Sequence, residues 1–284
     1  MKFTSKSASV LLAVLAASTI GGTIVSAEDV VTGDAKSLTS TGTVEVKDAD
    51  DTGGPGTDGV TDPEKPGPTD PTDDKDVDKS KEKGPLKVEA ISKLDFGEIQ
   101  PTAGVIKENA KALKTQKKDK DGKPVGAVED RGAIVQFADV RAGIYGYELQ
   151  VKMAEQFTAT VEGQKRTLDS STITYNNGIM KAEDGNENNP ASTTVFNDIV
   201  IGQDGDAKTV VTASNDKAKE EGKGRYVVEF GQSADYTKQP GTVGEGKAGT
   251  ADSSVTLTIP TKTASNMKLG SYVAKVQWSL LTTP

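Results

Sequence analysis

The chain is 284 residues long, carries a net charge of −8 and contains neither cysteine nor histidine. Their absence excludes serine triads, Cys–His nucleophiles and conventional zinc sites, all of which need one of these side chains. Without disulfides the protein must be stabilised by its hydrophobic core, and at this length a core is large enough.

Residues 1–27 have the pattern of a secretory signal peptide. Two lysines precede an apolar run over 8–17, and Val25-Ser26-Ala27 forms a small-residue cleavage site. The apolar run is too short to span a bilayer, so we predict a secreted chain that begins at Glu28 and does not insert into a membrane. No Leu-Pro-x-Thr-Gly element precedes Pro284, so attachment to a cell wall is expected to be non-covalent.

The segment 28–47 contains one strand candidate. Between Thr41 and Lys47, Val44 and Val46 alternate with polar residues, as in a half-buried β-strand. A single strand is not stable alone, so we expect residues 41–47 to pair with the main domain.

Residues 48–84 are rich in Pro, Gly and Asp. They carry 12 acidic residues against 5 lysines, and so most of the negative charge of the chain. A segment with so few apolar side chains cannot form a core of its own. We therefore predict an acidic, disordered linker that separates the N-terminal segment from the main domain.

The main domain is predicted over 85–284, because 12 of the 13 aromatic residues lie at or after Phe96. Short alternating segments separated by turn residues indicate an all-β fold, an antiparallel β-sandwich with long loops. Helical patterns are confined to 106–116 and 215–221. The strand candidates are 86–91, 133–140, 145–152, 156–162, 193–201, 225–231, 253–259 and 272–280.

The lysine spacing between 106 and 118 suggests a basic stripe. If this stretch is helical, four lysines at i, i+4, i+7 and i+11 share one face: Lys107, Lys111, Lys114 and Lys118. Such a stripe could contact an anionic wall polymer, whereas the alternative is an ordinary solvated connection between strands.

Three segments have the residue spacing of ligand-binding motifs without the structural context that such motifs need. The run from Gly244 to Gly249 has the glycine spacing of a dinucleotide site, but no strand precedes it and no helix follows. The acidic stretches at 119–122 and 204–206 suggest calcium, although Lys117 breaks the looped ligand pattern of the first. We interpret the first as a flexible loop and the others as turn tips, and predict no cofactor and no metal.

Acidic residues are numerous enough to supply a glycosidase pair. Nothing places such a pair in an aromatic cleft, however, and aromatic residues make up only 5% of the chain. We therefore predict that the protein is not an enzyme and keep a secreted glycan hydrolase as a hypothesis to be rejected by assay.

The strand 272–280 carries the only tryptophan, Trp278, on an alternating pattern. Together with earlier elements it resembles the WxL-domain family of Gram-positive surface proteins, over about 85–284 and the strand before the linker. The elements that carry this resemblance are Leu94–Gly97, Val135–Arg141, Gly146–Leu149, Gly270–Tyr272 and Trp278–Leu280.

The resemblance implies non-covalent binding to the cell wall, with peptidoglycan or another wall polymer as ligand. It also implies membrane- or wall-anchored surface proteins as partners. We predict no nucleic-acid partner. The family often carries Trp-x-Leu twice, whereas the first copy here has tyrosine in place of tryptophan. The family-motif residues are Tyr147, Glu148, Leu149, Trp278, Ser279 and Leu280.

Both aromatic-x-Leu elements lie on alternating strands, with the ring and the leucine on one face. One hypothesis is that this face is core and identifies the fold, since burying such side chains stabilises a protein by several kcal/mol at ~25 cal/mol per Å². The other hypothesis is that the rings contact the ligand directly and stack on sugars.

These observations lead to two functional hypotheses. The first is an exported protein that binds the Gram-positive cell wall through its C-terminal domain, as part of a multi-protein surface complex. The second is a structural subunit that docks mainly on a membrane- or wall-anchored partner protein and makes little direct contact with glycan.

Overall fold

The fold was analysed in a computed structural model that describes residues 42–47, 59–65, 68–72, 74–119, 121, 123–203 and 205–283. Eighteen short strands dominate these residues, and every strand pairing is antiparallel. The predicted all-β fold class is therefore confirmed. The signal peptide and residues 28–41 lie outside the described residues.

Two five-stranded sheets form much of the fold. Sheet I has the order β12-β16-β8-β4-β3, and sheet II has the order β10-β9-β15-β13 with β18 also paired to β9. The strands of sheet I are β3 (Val77–Lys79), β4 (Leu86–Ser92), β8 (Ala133–Asp139), β12 (Gly178–Ala182) and β16 (Gly224–Phe230). Those of sheet II are β9 (Tyr147–Val161), β10 (Gln164–Thr167), β13 (Thr193–Thr194), β15 (Lys208–Ala213) and β18 (Val273–Thr282).

Two four-stranded sheets complete the structure. Sheet III has the order β14-β11-β17-β5, and sheet IV has the order β1-β2-β6-β7. The strands of sheet III are β5 (Ile106–Asn109), β11 (Thr172–Tyr175), β14 (Ile199–Gly202) and β17 (Val255–Ile259). Those of sheet IV are β1 (Val60–Thr61), β2 (Pro68–Pro71), β6 (Leu113–Lys118) and β7 (Pro124–Arg131).

The main core is formed where the inner faces of sheets I, II and III meet. Alternation decides which side chains reach it: in β17, Val255, Leu257 and Ile259 are buried while the two threonines between them are half-exposed. Aromatic rings join the sheets, for example Tyr175 of β11 and Phe230 of β16, whose centroids are 5.0 Å apart. Such contacts fix the sheets against one another.

Two predicted helices are wrong. Residues 106–116 contain β5 and most of β6, in which Leu113 and Thr115 are buried and Lys114 is exposed, a period of two. Residues 215–221 form a turn, because the Asp216 carboxylate accepts the backbone N–H of Ala218 at 3.0 Å and so satisfies that donor outside a helix. The one α-helix described, α1 (Thr261–Asn266), follows Pro260, and a short 3₁₀ helix covers Asp74–Asp76.

Some predicted strand boundaries differ from the observed ones. The candidates at 145–152 and 156–162 are one continuous strand, β9, which is long enough to pair with β10, β15 and β18. The candidate at 193–201 is divided into β13 and β14, which belong to different sheets.

The strand predicted over 41–47 is not formed in residues 42–47, the described part of that range. Val44 and Val46 are 89% and 76% exposed. The sequence therefore has the alternating pattern of a half-buried strand, but the two valines of that pattern are not buried. Its pairing with the main domain stays a prediction.

Part of the segment predicted as a solvated linker belongs to the fold, and the prediction over 48–84 is corrected there. We call residues 60–65 the acidic strap. Val60 of the strap is buried against the face of sheet I that points away from the main core. The buried members of this second cluster are Val60, Val77, Ala90, Leu113, Ile134 and Val227.

The acidic strap is held to the sheets by charged groups. Asp62 binds the Arg131 guanidinium with both oxygens, at 2.9 Å to Nε and 2.8 Å to Nη2. Lys65 forms an ion pair with Glu129 at 2.7 Å, and the N–H of Thr61 donates to the side chain of Gln136 at 2.8 Å. The acidic composition predicted that these residues are solvated. In the structure, the carboxylates of Asp62 and Glu64 instead face the buried Arg131.

Candidate functional site

The structure brings the two aromatic-x-Leu elements together on adjacent strands. In the register of β9 and β18, Leu149 lies opposite Leu280, Tyr147 opposite Thr282 and Trp278 opposite Val151. Residues directly opposite in an antiparallel pair share a face, so both rings and both leucines point inward. The two motifs are thus halves of one paired structure, although 128 residues separate them along the chain.

The first element belongs to the core. Tyr147 and Leu149 are fully buried, and the Tyr147 ring packs edge-on against Phe137 with centroids 5.7 Å apart. Burial raises the pKa of the Tyr147 hydroxyl well above its usual value, and this hydroxyl has no hydrogen-bond partner among the described residues. In this conformation neither side chain can touch a ligand outside the protein.

The second element lies at the edge of the core. Trp278 and Leu280 are partly buried. The indole contacts Tyr175 edge-on at 5.8 Å between centroids and Phe230 at 6.1 Å, while part of its surface remains open. Trp278 therefore combines a packing role with access to solvent, so a direct contact with ligand stays a prediction for this residue.

The middle residues of both motifs are on the outer face of sheet II. The Glu148 carboxylate accepts hydrogen bonds from the Gln150 side-chain amide at 2.6 Å and from the Thr209 hydroxyl at 3.2 Å. Ser279 lies opposite Gln150 in the β9–β18 register. The residues of each motif are consequently divided between two faces, and only Glu148 and Ser279 face outward.

A groove of about 710 Å³ lies beside Trp278. One wall is β18, and the other includes the end of β4 with the loop that follows it. The lining is mainly apolar and aromatic, with Ile91, Leu94, Phe96, Tyr175, Tyr272 and Trp278 as the main apolar members. A groove of this size with a largely apolar lining is typical of binding sites.

Polar groups mark the rim of this groove. Lys93 forms an ion pair with Asp78 at 3.2 Å, and Lys275 forms one with Glu155 at 2.7 Å. The hydrogen bond from Lys275 lowers the pKa of Glu155. Each lysine is paired with a carboxylate, so the rim carries positive and negative groups side by side and has no surface charge of a single sign. The side-chain amide of Gln277 also lines the groove.

The open edge of β18 runs along the same groove. Among the described strands, β18 pairs only with β9. Val273 at the start of this strand is 65% exposed. A register shift near Lys275 makes the pairing with β9 irregular at this end of the strand. An unpaired strand edge presents backbone N–H and C=O groups that another extended chain can bind.

The four lysines of the predicted basic stripe do not lie on one helix. Lys107 is on β5, Lys114 and Lys118 are on β6, and Lys111 is in the connection between them. All four side chains are exposed. Lys111 forms an ion pair with Asp95 at 2.7 Å, and Lys114 forms one with Asp130. Contact with an anionic polymer stays a prediction, now without the helical geometry that first suggested it.

Neither the first acidic loop nor the acidic groups elsewhere form a metal site among the described residues. Asp119 accepts the backbone N–H groups of Asp121 and Lys123, both at 2.9 Å, which closes the turn between β6 and β7. Its carboxylate is therefore used within the turn. Asp204 lies outside the described residues.

The sequence did not single out the walls of the groove as a site. Leu94 and Phe96 belong to a family element, and Tyr272 begins the last strand, but nothing in their spacing shows that they face one cavity. Their common location becomes visible only in the folded structure, where the end of β4 and the start of β18 lie on opposite sides of the groove.

A family model with the description "WxL domain surface cell wall-binding" matches residues 33–284. No curated protein and no solved structure shows significant similarity to the chain. Within the part of the chain that the structure describes, no helix has the length and apolar character needed to cross a membrane.

Proposed function

Because the chain belongs to the WxL-domain family of surface cell wall-binding proteins, we propose that it is exported and held non-covalently on the Gram-positive cell wall, with peptidoglycan as its ligand. Export follows from the signal peptide predicted over 1–27. The family match over 33–284 is the observation that carries the proposal, because it covers most of the N-terminal segment and the whole main domain.

The groove beside Trp278 is the surface that we assign to this binding. It combines aromatic surface for sugar or peptide stems with the rim groups Lys93, Asp78 and Gln277. The protein acts by binding and has no catalytic role in this proposal. It would be one component of a complex that includes membrane- or wall-anchored proteins.

Sedimentation of the mature chain with purified, protein-free peptidoglycan tests the proposal. We expect the protein in the pellet, and less of it after Ala274→Arg, because a long side chain at this lining position would occupy the groove. Leu281→Ala is the matched control: it changes an exposed residue of the same strand outside the groove lining. A wild-type protein that stays in the supernatant at every salt concentration would reject direct wall binding.

Trp278 provides a second readout, because it is the only tryptophan. Binding of soluble peptidoglycan fragments in the groove should shift its emission, since the indole lines this cavity. If the emission of Trp278 is unchanged although the protein sediments with the wall, the binding surface lies elsewhere, on the outer face of sheet II or at the exposed lysines.

The second candidate function is docking on a surface protein partner. The open edge of β18 favours it, because edge strands bind extended peptides through main-chain hydrogen bonds while neighbouring pockets receive side chains. Under this alternative the protein would bind cells that carry the partner and fail to bind protein-free wall.

A secreted glycan hydrolase, the third hypothesis, is tested by incubating the protein with wall or plant polysaccharides. Absence of released sugar would reject it.

A further inference from the structure

One buried arginine is surrounded by more carboxyl groups than it can neutralise. Arg131, at the end of β7, is 1% exposed, and three acidic side chains around it are almost equally buried. They are Asp62 and Glu64 of the acidic strap and Glu229 of β16, the last of which is completely buried. A single guanidinium balances one carboxylate, so the protonation of the others decides the charge of the cluster.

The two strap carboxylates are well bonded. Asp62 binds Arg131 with both oxygens, and Glu64 accepts the backbone N–H of Ser233 at 2.7 Å and the Ser233 hydroxyl. The Arg131 guanidinium also lies 3.8 Å from Glu64. Both strap carboxyl groups are therefore fully engaged by donors on the sheets and on the loop around Ser233.

Glu229 is the carboxyl group left without full hydrogen bonding. One oxygen accepts the backbone N–H of Gly132 at 3.0 Å, while the other is buried and has no partner among the described residues. The groups that face it are the two strap carboxylates, Arg131 and the Tyr236 hydroxyl, which is also unpartnered. Burial raises the pKa of Glu229 well above its usual value, and Glu64 raises it further.

We propose that Glu229 is a proton-controlled latch that holds the acidic strap on sheet I when protonated and releases it when ionised. In the protonated state Glu229 adds no charge beside Arg131 and the two strap carboxyl groups. Ionisation adds a further buried negative charge next to Glu64, on the inner side of the strap. The strap is the element that moves, because Val60 and the strap carboxylates cover the sheet from outside, whereas Glu229 lies within a paired strand.

The direction of the pH effect follows from thermodynamic linkage. A carboxyl group whose pKa is raised by folding binds a proton more tightly in the folded state. Its contribution to holding the strap is complete below the pKa of the unfolded chain and is lost as the pH rises through the folded value. The strap is consequently closed in acidic surroundings and opens towards alkaline pH. This device is independent of what the groove binds.

Hydrogen–deuterium exchange on the mature chain tests the latch. Protection of the Thr61, Glu64 and Lys65 amides, corrected for intrinsic exchange rates, should fall at least about tenfold from about pH 5.5 to about pH 8.5. In Glu229→Gln, whose neutral amide resembles the protonated acid, protection should be independent of pH. Amides of the β9–β18 ladder serve as the internal control for global opening.

Two results would overturn the proposal: a strap that stays protected over the whole range, or equal pH dependence in wild type and Glu229→Gln. Should Glu229→Gln fail to fold, Glu64→Gln provides the decisive comparison. It removes the Glu64 carboxylate while keeping an acceptor for Ser233. Because Glu64 raises the pKa of Glu229, the opening midpoint should move to lower pH and the total fall in protection should become smaller. An unchanged or raised midpoint in Glu64→Gln contradicts the latch, and a lowered midpoint supports it.

Discussion

The hydroxyl group of Tyr147 is buried and has no hydrogen-bond partner in the part of the chain that the structure describes, although its ring is packed in the main core. A buried polar atom that lacks a partner costs free energy relative to an apolar atom of similar shape. We therefore expect Tyr147→Phe to leave the free energy of unfolding unchanged or to raise it by up to about 1 kcal/mol, as measured by urea unfolding. Loss of stability would reveal a partner for the hydroxyl, such as a bound water.

Removing the whole ring should have the opposite effect. Tyr147→Ala would leave a cavity among Phe137 and its neighbours and lower the free energy of unfolding by about 3–5 kcal/mol.

Trp278 is partly exposed, so we expect Trp278→Ala to lower the free energy of unfolding by a smaller amount, about 2–3 kcal/mol. Trp278→Phe retains the contacts with Tyr175 and Phe230 in part and separates packing from binding. Reduced wall binding with an unchanged melt would identify the indole as a contact.

Arg131 offers a sharp contrast with the exposed ion pairs. In Arg131→Met, the strap carboxylates lose their buried counter-charge, and we expect the free energy of unfolding to fall by about 3–5 kcal/mol. The matched control is Lys111→Met, which removes an exposed pair with Asp95 and should leave unfolding nearly unchanged. Chemical denaturation of both variants checks this, and equal effects would contradict the burial argument.

Among the elements, the acidic strap determines where the folded domain begins. A fragment of residues 59–284 retains Val60 and Asp62, whereas one of residues 85–284 leaves Ile134 and Val227 exposed and Arg131 without its partner. We expect the longer fragment to melt cooperatively in circular dichroism and the shorter one to lose cooperativity or aggregate. Identical melts would return the boundary to residue 85.

The lysines on and between β5 and β6 provide a test of electrostatic attraction to the wall. Changing Lys107, Lys111, Lys114 and Lys118 to Gln should weaken sedimentation with peptidoglycan at low salt and flatten its salt dependence, because exposed charges are screened by salt. A control variant changes four exposed lysines elsewhere to Gln, namely Lys208, Lys219, Lys262 and Lys268. If both sets behave alike, the effect is one of net charge and the positions carry no specificity.

Local patterns were sufficient to predict the fold class, the strands with the clearest alternation and the family. The alternation of Val255, Leu257 and Ile259 is visible in the sequence because each strand buries one face. The ordered motifs around Tyr147 and Trp278 indicated the resemblance that the family match over 33–284 confirms. What local pattern could not supply was pairing: that Leu149 lies opposite Leu280 depends on register between distant strands.

The acidic strap shows why composition failed. Asp62 and Glu64 lie among prolines and glycines, so they have the composition of a solvated linker. Their burial depends on Arg131, a partner almost seventy positions away whose own surroundings give no sequence signal. Long-range charge pairing of this kind is set by tertiary structure and cannot be read from a window of residues. The same holds for the groove, whose walls come from separate strands.

For the whole molecule, Glu229 predicts how stability depends on pH. Its raised pKa means that the folded state holds a proton that the unfolded chain releases above about pH 4.3. The contribution of this group to stability is therefore present in acid and lost as the pH rises. We expect Glu229→Gln to match wild type near about pH 4 and to exceed it by at least about 1 kcal/mol near about pH 8. Urea midpoints across this range check the sign, and a wild-type advantage at alkaline pH would contradict it.

The pairing of β9 with β18 has a consequence for when the domain can fold. β9 is at the middle of sheet II, and the ladder that completes its open side comes from the last strand of the matched region. Contacts between positions so distant along the chain close late and slow the folding rate. A polypeptide that threads through a secretion channel from its N-terminus would thus remain translocation-competent until β18 has crossed. Compaction on the far side, once β18 emerges, would then oppose backward sliding.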